Sequence, residues 1–159
     1  NFWDADAPLP EVLPTLCAAH GERYAGYTLR KVCNEMHDFY RQANVKDLQR
    51  LSFRASSFPE LAMSPKDAYE ALVANDVDYV PLEGIKGRIS ATLALIYPPG
   101  IGVVVPLERW DAKAQPMLDY FLAFQESFNR FPGFNYEVQG VFQERENGRI
   151  KFYTYVVRE

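Results

Sequence analysis

The chain is short of the side chains that most often carry chemistry. Its 159 residues include two cysteines, Cys17 and Cys33, and two histidines, His20 and His37. Both cysteines fall inside helix-like patterns and read as reduced core thiols of a cytoplasmic protein, not as a disulfide or a metal pair. Neither histidine has a Cys, Asp or Glu at metal-ligand spacing. Positive charge is also scarce: 17 Lys and Arg stand against 21 Asp and Glu, for a net charge of −4. No basic run occurs, which argues against nucleic acid or an anionic membrane surface as a partner. No apolar run is long enough to span a bilayer, and no signal peptide opens the chain. A Gly-rich phosphate loop and a Gly-x-Ser-x-Gly elbow are both missing. The sequence starts Asn1-Phe2-Trp3 without a methionine and reads as a piece of something longer.

What the chain does have is apolar and aromatic bulk. Hydrophobic residues make up 48% and aromatics 14%, which places it among folded domains with a real core. The most distinctive stretch runs from Gly87 to Pro106. Ile89, Ala91, Leu93, Leu95 and Tyr97 alternate with Arg88, Ser90, Thr92 and Ala94, the period of a strand with one buried face. Pro98 keeps Tyr97 extended, and Pro99-Gly100 suits the centre of a type II turn. Val103-Val104-Val105 then returns as a second strand. The expectation is a strand ending in a stiff, aromatic-fronted loop.

The rest of the chain follows in order. Leu9, Val12, Leu13 and Leu16 predict a first helix that stops near His20-Gly21. Thr28 caps a clear helix whose apolar face is Leu29, Val32, Cys33, Met36, Tyr40 and Ala43. Asn44 caps a short helix from Val45 to Phe53, and Ala55 to Met63 is a loop. Ser64-Pro65 starts another helix, with Ala68, Tyr69, Leu72 and Val73 as its buried stripe. Val77 to Leu82 is a short strand. A long helix from about Ala112 to Phe131 carries Met117, Phe121, Phe124, Phe128 and Phe131 at helical spacing, a core stripe. Pro132-Gly133 breaks it. Tyr136 to Glu144 and Arg149 to Val157 are strands, joined in a hairpin by Asn147-Gly148. Together these elements give an α+β domain: a mostly antiparallel sheet with a C-terminal β-hairpin, packed against several helices.

Candidate sites are few. Glu83 and Glu108 bracket the central stretch as possible paired carboxylates. Arg50 and Arg54, four apart, together with Arg88, are candidates for an anion or effector site, although exposed arginines more often serve as surface ion-pair partners. Read from the residues alone, this is a globular domain with a rigid loop and no self-contained active site.

Several motifs resemble one family. Gly87-Arg88-Ile89-Ser90-Ala91 followed by Tyr97-Pro98-Pro99-Gly100-Ile101 resembles the C-terminal domain of the bacterial ornithine/lysine/arginine decarboxylases, large pyridoxal phosphate enzymes. Asp6-Ala7-Pro8-Leu9 with Val12-Leu13-Pro14, Met63-Ser64-Pro65 with Ala68-Tyr69, and Phe131-Pro132-Gly133-Phe134 with Gly140 look like further landmarks of that domain in the right order. Gly26-Tyr27-Thr28, Cys33 to Asp38, Val45 to Gln49, Phe53-Arg54 and Phe58-Pro59 look most like the ornithine branch. Two positions depart from the family pattern. Gly102 stands where a proline is usual, loosening a strand start, and Leu107 stands where a glycine is usual, removing a φ > 0 option.

The resemblance implies that residues 1–159 are one accessory domain of a larger polypeptide. The cofactor would be held outside this chain, in a separate domain, on a lysine that follows a histidine. No lysine here follows a histidine. The isolated domain is therefore expected to be inactive and to bind no cofactor. Its partner would be the catalytic domain of the same polypeptide, in a homo-oligomer, with Tyr97, Pro98, Pro99, Gly100 and Glu83 as substrate-entrance candidates. Other readings remain open: the C-terminal domain of a lysine or arginine decarboxylase, a non-catalytic effector module, or an oligomerisation module with Phe2 and Trp3 in the interface.

Overall fold

The computed structural model describes residues 4–97 and 100–159. Phe2, Trp3, Pro98 and Pro99 lie outside the described residues. Six helices run in chain order: α1 (Leu9–Val12), α2 (Pro14–Tyr24), α3 (Leu29–Gln42), α4 (Val45–Ser52), α5 (Pro65–Val73) and α6 (Gln115–Arg130). Six strands accompany them: β1 (Val77–Pro81), β2 (Ala94–Tyr97), β3 (Gly102–Val104), β4 (Glu137–Gln139), β5 (Phe142–Glu146) and β6 (Arg149–Val157). The architecture is α+β, as expected. The strands, however, form two three-stranded antiparallel sheets, β1-β6-β5 and β3-β2-β4.

The aromatic stripe of α6 makes the main core. Met117, Phe121, Phe124 and Phe128 are buried with Ala94, Ile96 and Val104 from one sheet and Phe152 and Val156 from the other. Phe128 meets Phe152 edge-on at 5.3 Å, a favoured arrangement of two aromatic rings. A second cluster joins α1 to α3 through Leu9, Tyr24, Val32, Phe39 and Phe131. Arg23 ties α2 to α3: it donates to Glu35 at 3.0 Å and to the Tyr27 hydroxyl, which itself donates to Glu35 at 2.7 Å.

Two of the three predicted helix caps form their hydrogen bonds, and the hairpin turn takes its expected dihedrals. Thr28 accepts from the Lys31 N–H at 3.2 Å, and Ser64 accepts from the Asp67 N–H at 3.2 Å. Asn147 (φ 50) and Gly148 (φ 79) both take the left-handed conformation that a two-residue hairpin turn demands.

Other expectations fail for physical reasons. The helix does not stop at Gly21; α2 continues to Tyr24 across a kink at His20 (φ −135, ψ 34). Asn44 makes no side-chain cap, because it sits in the left-handed region at φ 55. Cys33 is exposed, and Phe39 takes the buried place on that face. On α5 only Ala68 is buried, while Tyr69 and Val73 are 66% and 67% exposed. The stretch from Ile89 to Tyr97 is not one alternating strand. Ile89, Ser90 and Ala91 are all buried between neighbouring segments, whereas Leu93 and Tyr97 are exposed. Tyr136 to Glu144 is broken as well, at Gly140.

Gly140 has a specific job. Its φ is 72, and a Cβ there would sit 2.0 Å from the Leu93 carbonyl oxygen. Its own carbonyl accepts the Thr154 hydroxyl at 2.6 Å and lies 3.1 Å from that of Thr92, and the two hydroxyls are 2.8 Å apart. Two hydroxyl protons serve these three contacts, so Thr154 donates to the carbonyl and Thr92 shares its proton between the carbonyl and Thr154. Thr92 leads into β2 and Thr154 lies in β6, so this group joins the two sheets.

Leu107 overrides its own preference. It adopts φ 84 despite its side chain, in a turn closed by Glu108 N–H donating to the Val105 carbonyl at 3.2 Å. Pro106 precedes it, as in a type II turn. The expected loss of the φ > 0 option does not occur; the turn is kept and Leu107 bears the strain. Leu107→Ala should therefore lose packing and keep much of the strain, while Leu107→Gly loses the same packing and relieves it. The left-handed penalty of about 1–2 kcal/mol exceeds the entropic cost of glycine, about 0.5–1 kcal/mol. In equilibrium urea unfolding Leu107→Gly should be the more stable variant by about 0.5–1 kcal/mol. The usual order, with Ala more stable, would show that the turn is not strained.

Candidate functional site

The loop edge begins at Tyr97, the last residue of β2, which pairs with Glu137 of β4. Tyr97 is 51% exposed. Its ring leans over Gly100, where a Cβ would lie 2.8 Å from Tyr97 Cδ2. Gly100 has φ 77 and donates its N–H to the Ile96 carbonyl at 3.3 Å. A residue with a side chain there would meet both backbone strain and the ring. Leu93 and Ile101 are exposed on the same part of the chain. Gly102, the other departure from the family pattern, leaves room for Leu93: a Cβ would be 2.8 Å from Leu93 Cδ1.

The other sequence-predicted residues do not gather around this loop. Glu83 lies in a short turn after β1 and accepts from Gln125 of α6 at 3.0 Å. Glu108 accepts the Val105 N–H at 2.8 Å. Burial raises its carboxyl above the ordinary range, aided by the Asp111 charge and opposed by that hydrogen bond. These two carboxylates stabilise different turns. Arg50 sits on α4 with Asp47 at 3.8 Å, and Arg54 lies beyond the end of that helix. Arg88 belongs elsewhere: it donates to Asp78 of β1 at 2.7 Å and to the Val157 carbonyl at 3.2 Å. Arg158 also donates to Asp78, at 3.0 Å.

Sequence reading missed one feature. A cavity of about 540 Å³ lies between α3, α4, α6 and the β2–β4 pair, lined by His37, Tyr40, Arg41, Val45, Lys46, Gln49, Ile96, Tyr120, Phe124 and Tyr136. Its wall is aromatic: Phe124 stands edge-on to Tyr136 at 5.4 Å and to Tyr120 at 5.0 Å. The Tyr40 hydroxyl is 2.7 Å from Ser127 Oγ, and burial pushes both the Tyr40 and the Tyr120 phenols up, keeping them neutral. Its position follows from helical spacing, with Tyr40 three residues after His37, Gln49 four after Val45, and Phe124 four after Tyr120. That regularity reads equally well as core, which is why the sequence alone did not reveal the cavity. Among the described residues no group of three or more His, Cys, Asp or Glu could hold a metal ion.

The family model for the Orn/Lys/Arg decarboxylase C-terminal domain matches residues 46–158. The chain belongs to this family. It is 47% identical over 99% of its length to the inducible ornithine decarboxylase of Escherichia coli K12, and 45% identical over 97% to an ornithine decarboxylase of Haemophilus influenzae. It spans 21% of each of those relatives. Lysine and arginine decarboxylases also match, at lower identity. Among solved structures, lysine decarboxylase A from Pseudomonas aeruginosa superposes with a TM-score of 0.86 at 33% identity, covering 98% of this chain and 20% of that one.

Pyridoxal phosphate is the cofactor of homologous decarboxylases in general. It needs a lysine and a charged partner for its ring nitrogen in one pocket. Lys46 borders the cavity, but no carboxylate lines it, and Arg41 stands at its exposed rim. Lys66 pairs with Glu70, Lys151 pairs with Glu146, and Lys86 donates to Gln115, all outside the cavity.

The Asp78 pair yields a test. The Arg88 and Arg158 hydrogen bonds hold the Asp78 carboxyl below its ordinary value. A depressed carboxylate contributes stability that is present above the unfolded-state pKa and is lost as pH falls through the folded one. Asp78→Asn should therefore be less stable than wild type at pH 7, with the difference shrinking below about pH 4 in a pH series of thermal unfolding. A difference that is constant with pH would show that the charge is irrelevant and only packing was changed.

Proposed function

We propose that this chain is the C-terminal accessory domain of an ornithine decarboxylase, a cytoplasmic enzyme that releases carbon dioxide from ornithine and leaves putrescine for polyamine synthesis. The reading rests on near full-length identity to ornithine decarboxylases, above that to lysine and arginine enzymes. Pyridoxal phosphate is bound in another domain of the same polypeptide and supplies the electron sink for loss of the carboxylate. The catalytic domain is the partner of this one, within a homo-oligomer.

In this reading the role of the chain is positional. Tyr97 and Gly100, with Pro98 and Pro99 between them, form the edge that walls the substrate entrance. The Tyr97 ring is preset over Gly100 before any partner arrives, so little freedom is lost on docking.

Kinetics of the full-length enzyme test both levels. Wild type should prefer ornithine over lysine and arginine in kcat/KM. Tyr97→Ala should raise KM for ornithine about two- to tenfold with a smaller change in kcat, since a wall residue positions substrate without joining the chemistry. The isolated 159-residue chain should release no carbon dioxide from ornithine with added pyridoxal phosphate. A preference for lysine would overturn the substrate assignment. An unchanged KM in Tyr97→Ala would remove the loop from the entrance.

A further inference from the structure

We propose that the cavity between α3, α4 and α6 is a binding site for a small aromatic anion, a flat ring system carrying one carboxylate, sulfonate or phosphate group. The inference does not depend on the decarboxylase reading, because Tyr97, Gly100 and Glu83 are not among the residues that line the cavity.

Three observations carry it. The first is size: about 540 Å³ is within the range of sites that enclose a small organic molecule. The second is the wall. Tyr120 and Phe124 are almost fully buried, and Tyr136 remains partly open beside them, presenting ring faces and edges to an incoming ring. Burial keeps the Tyr40 and Tyr120 phenols neutral, so these two add no negative charge to the wall. The third is the sign of the rim. Arg41 and Lys46 are exposed at the mouth with His37 and Gln49, and no Asp or Glu lines the cavity. Arg41 has only Asp38 nearby, at 4.0 Å, and Asp47 turns to Arg50. In a chain with a net charge of −4, a cavity lined by two cations and no carboxylate is a local reversal of the field.

Lys46 is in the first turn of α4, an eight-residue helix whose N-cap, Asn44, makes no side-chain hydrogen bond. Arg41 and Lys46 both border the rim where an anion would be held, although the first turn of α4 also carries Asp47. An apolar molecule without charge would use only the wall. An anion without a ring would use only the rim, in competition with water. A ligand with both parts uses the whole site.

A matched pair of fluorescent probes separates these cases in the full-length polypeptide. 1-Anilinonaphthalene-8-sulfonate carries the anion; N-phenyl-1-naphthylamine is the same ring system without it. The sulfonated probe should bind saturably, at least tenfold tighter than the neutral one. The double variant Arg41→Glu, Lys46→Glu should abolish that tenfold preference while circular dichroism stays unchanged. Arg50→Glu, on the same helix but outside the cavity, should retain it. Equal affinity of the two probes in wild type would overturn the proposal. So would a preference that survives the double variant, since the anion would then be bound elsewhere. A cavity filled by another part of the polypeptide or by a second copy would give no saturable binding that responds to Arg41 and Lys46, and that too overturns it. Decarboxylation of ornithine is not a readout here, so failure leaves the function proposed above untouched.

Discussion

The two sheets meet at one carbonyl. Gly140 passes so close to the Leu93 backbone that no side chain fits, and its oxygen receives hydroxyl contacts from Thr92 and Thr154. Ser90 adds to the same buried knot by donating to the Thr92 carbonyl at 2.9 Å. Ser90 and Thr154 are fully buried, so each hydrogen bond there also avoids the cost of an orphaned polar group, about 1–3 kcal/mol. This crossing fixes where β2 leaves the core, and with it the position of Tyr97. It also fixes the end of the three-residue strand β4, whose other end follows Tyr136 on the cavity wall.

The long helix α6 supplies the other half of the frame. Its aromatic stripe packs on both sheets, while Tyr120 and Phe124 extend that stripe to the cavity. The core and the cavity wall are thus one continuous surface. Polar anchors keep the hairpin in register on the helix: Gln125 accepts the Phe152 N–H at 2.6 Å, and Asn129 accepts the Ile150 N–H at 2.7 Å. The apolar residues left outside include Leu61, Tyr69 and Val73, and Leu93, Tyr97 and Ile101 by the loop. A domain that forms about a fifth of its relatives' length has other parts of the polypeptide to cover such surface.

Much of this was readable in the sequence where one residue type does one physical job. Thr28, Ser64 and Asn147-Gly148 each predicted a specific hydrogen bond or dihedral, and α6 was plain from its phenylalanines. The family was readable because its landmarks are spaced along the whole chain. The failures share a cause. Alternation from Ile89 to Tyr97 suggested one exposed face, but Ser90 is enclosed by segments distant in sequence, which no local pattern reports. The stripe on α5 reads as core because Tyr69 and Val73 are apolar, although both stay exposed among the described residues. Arg50, Arg54 and Arg88 looked like one group, yet Arg88 is held by Asp78 on another element. The cavity was hidden because a lining tyrosine and a core tyrosine obey the same spacing.

The central physical claim is that the fold depends on the glycine at the crossing. Its most direct test is equilibrium unfolding of Gly140→Ala. Overpacking against the Leu93 carbonyl, together with the left-handed backbone, predicts a loss of roughly 2–5 kcal/mol or failure to fold. Stability within about 0.5 kcal/mol of wild type, the range of a neutral surface substitution, would contradict the account.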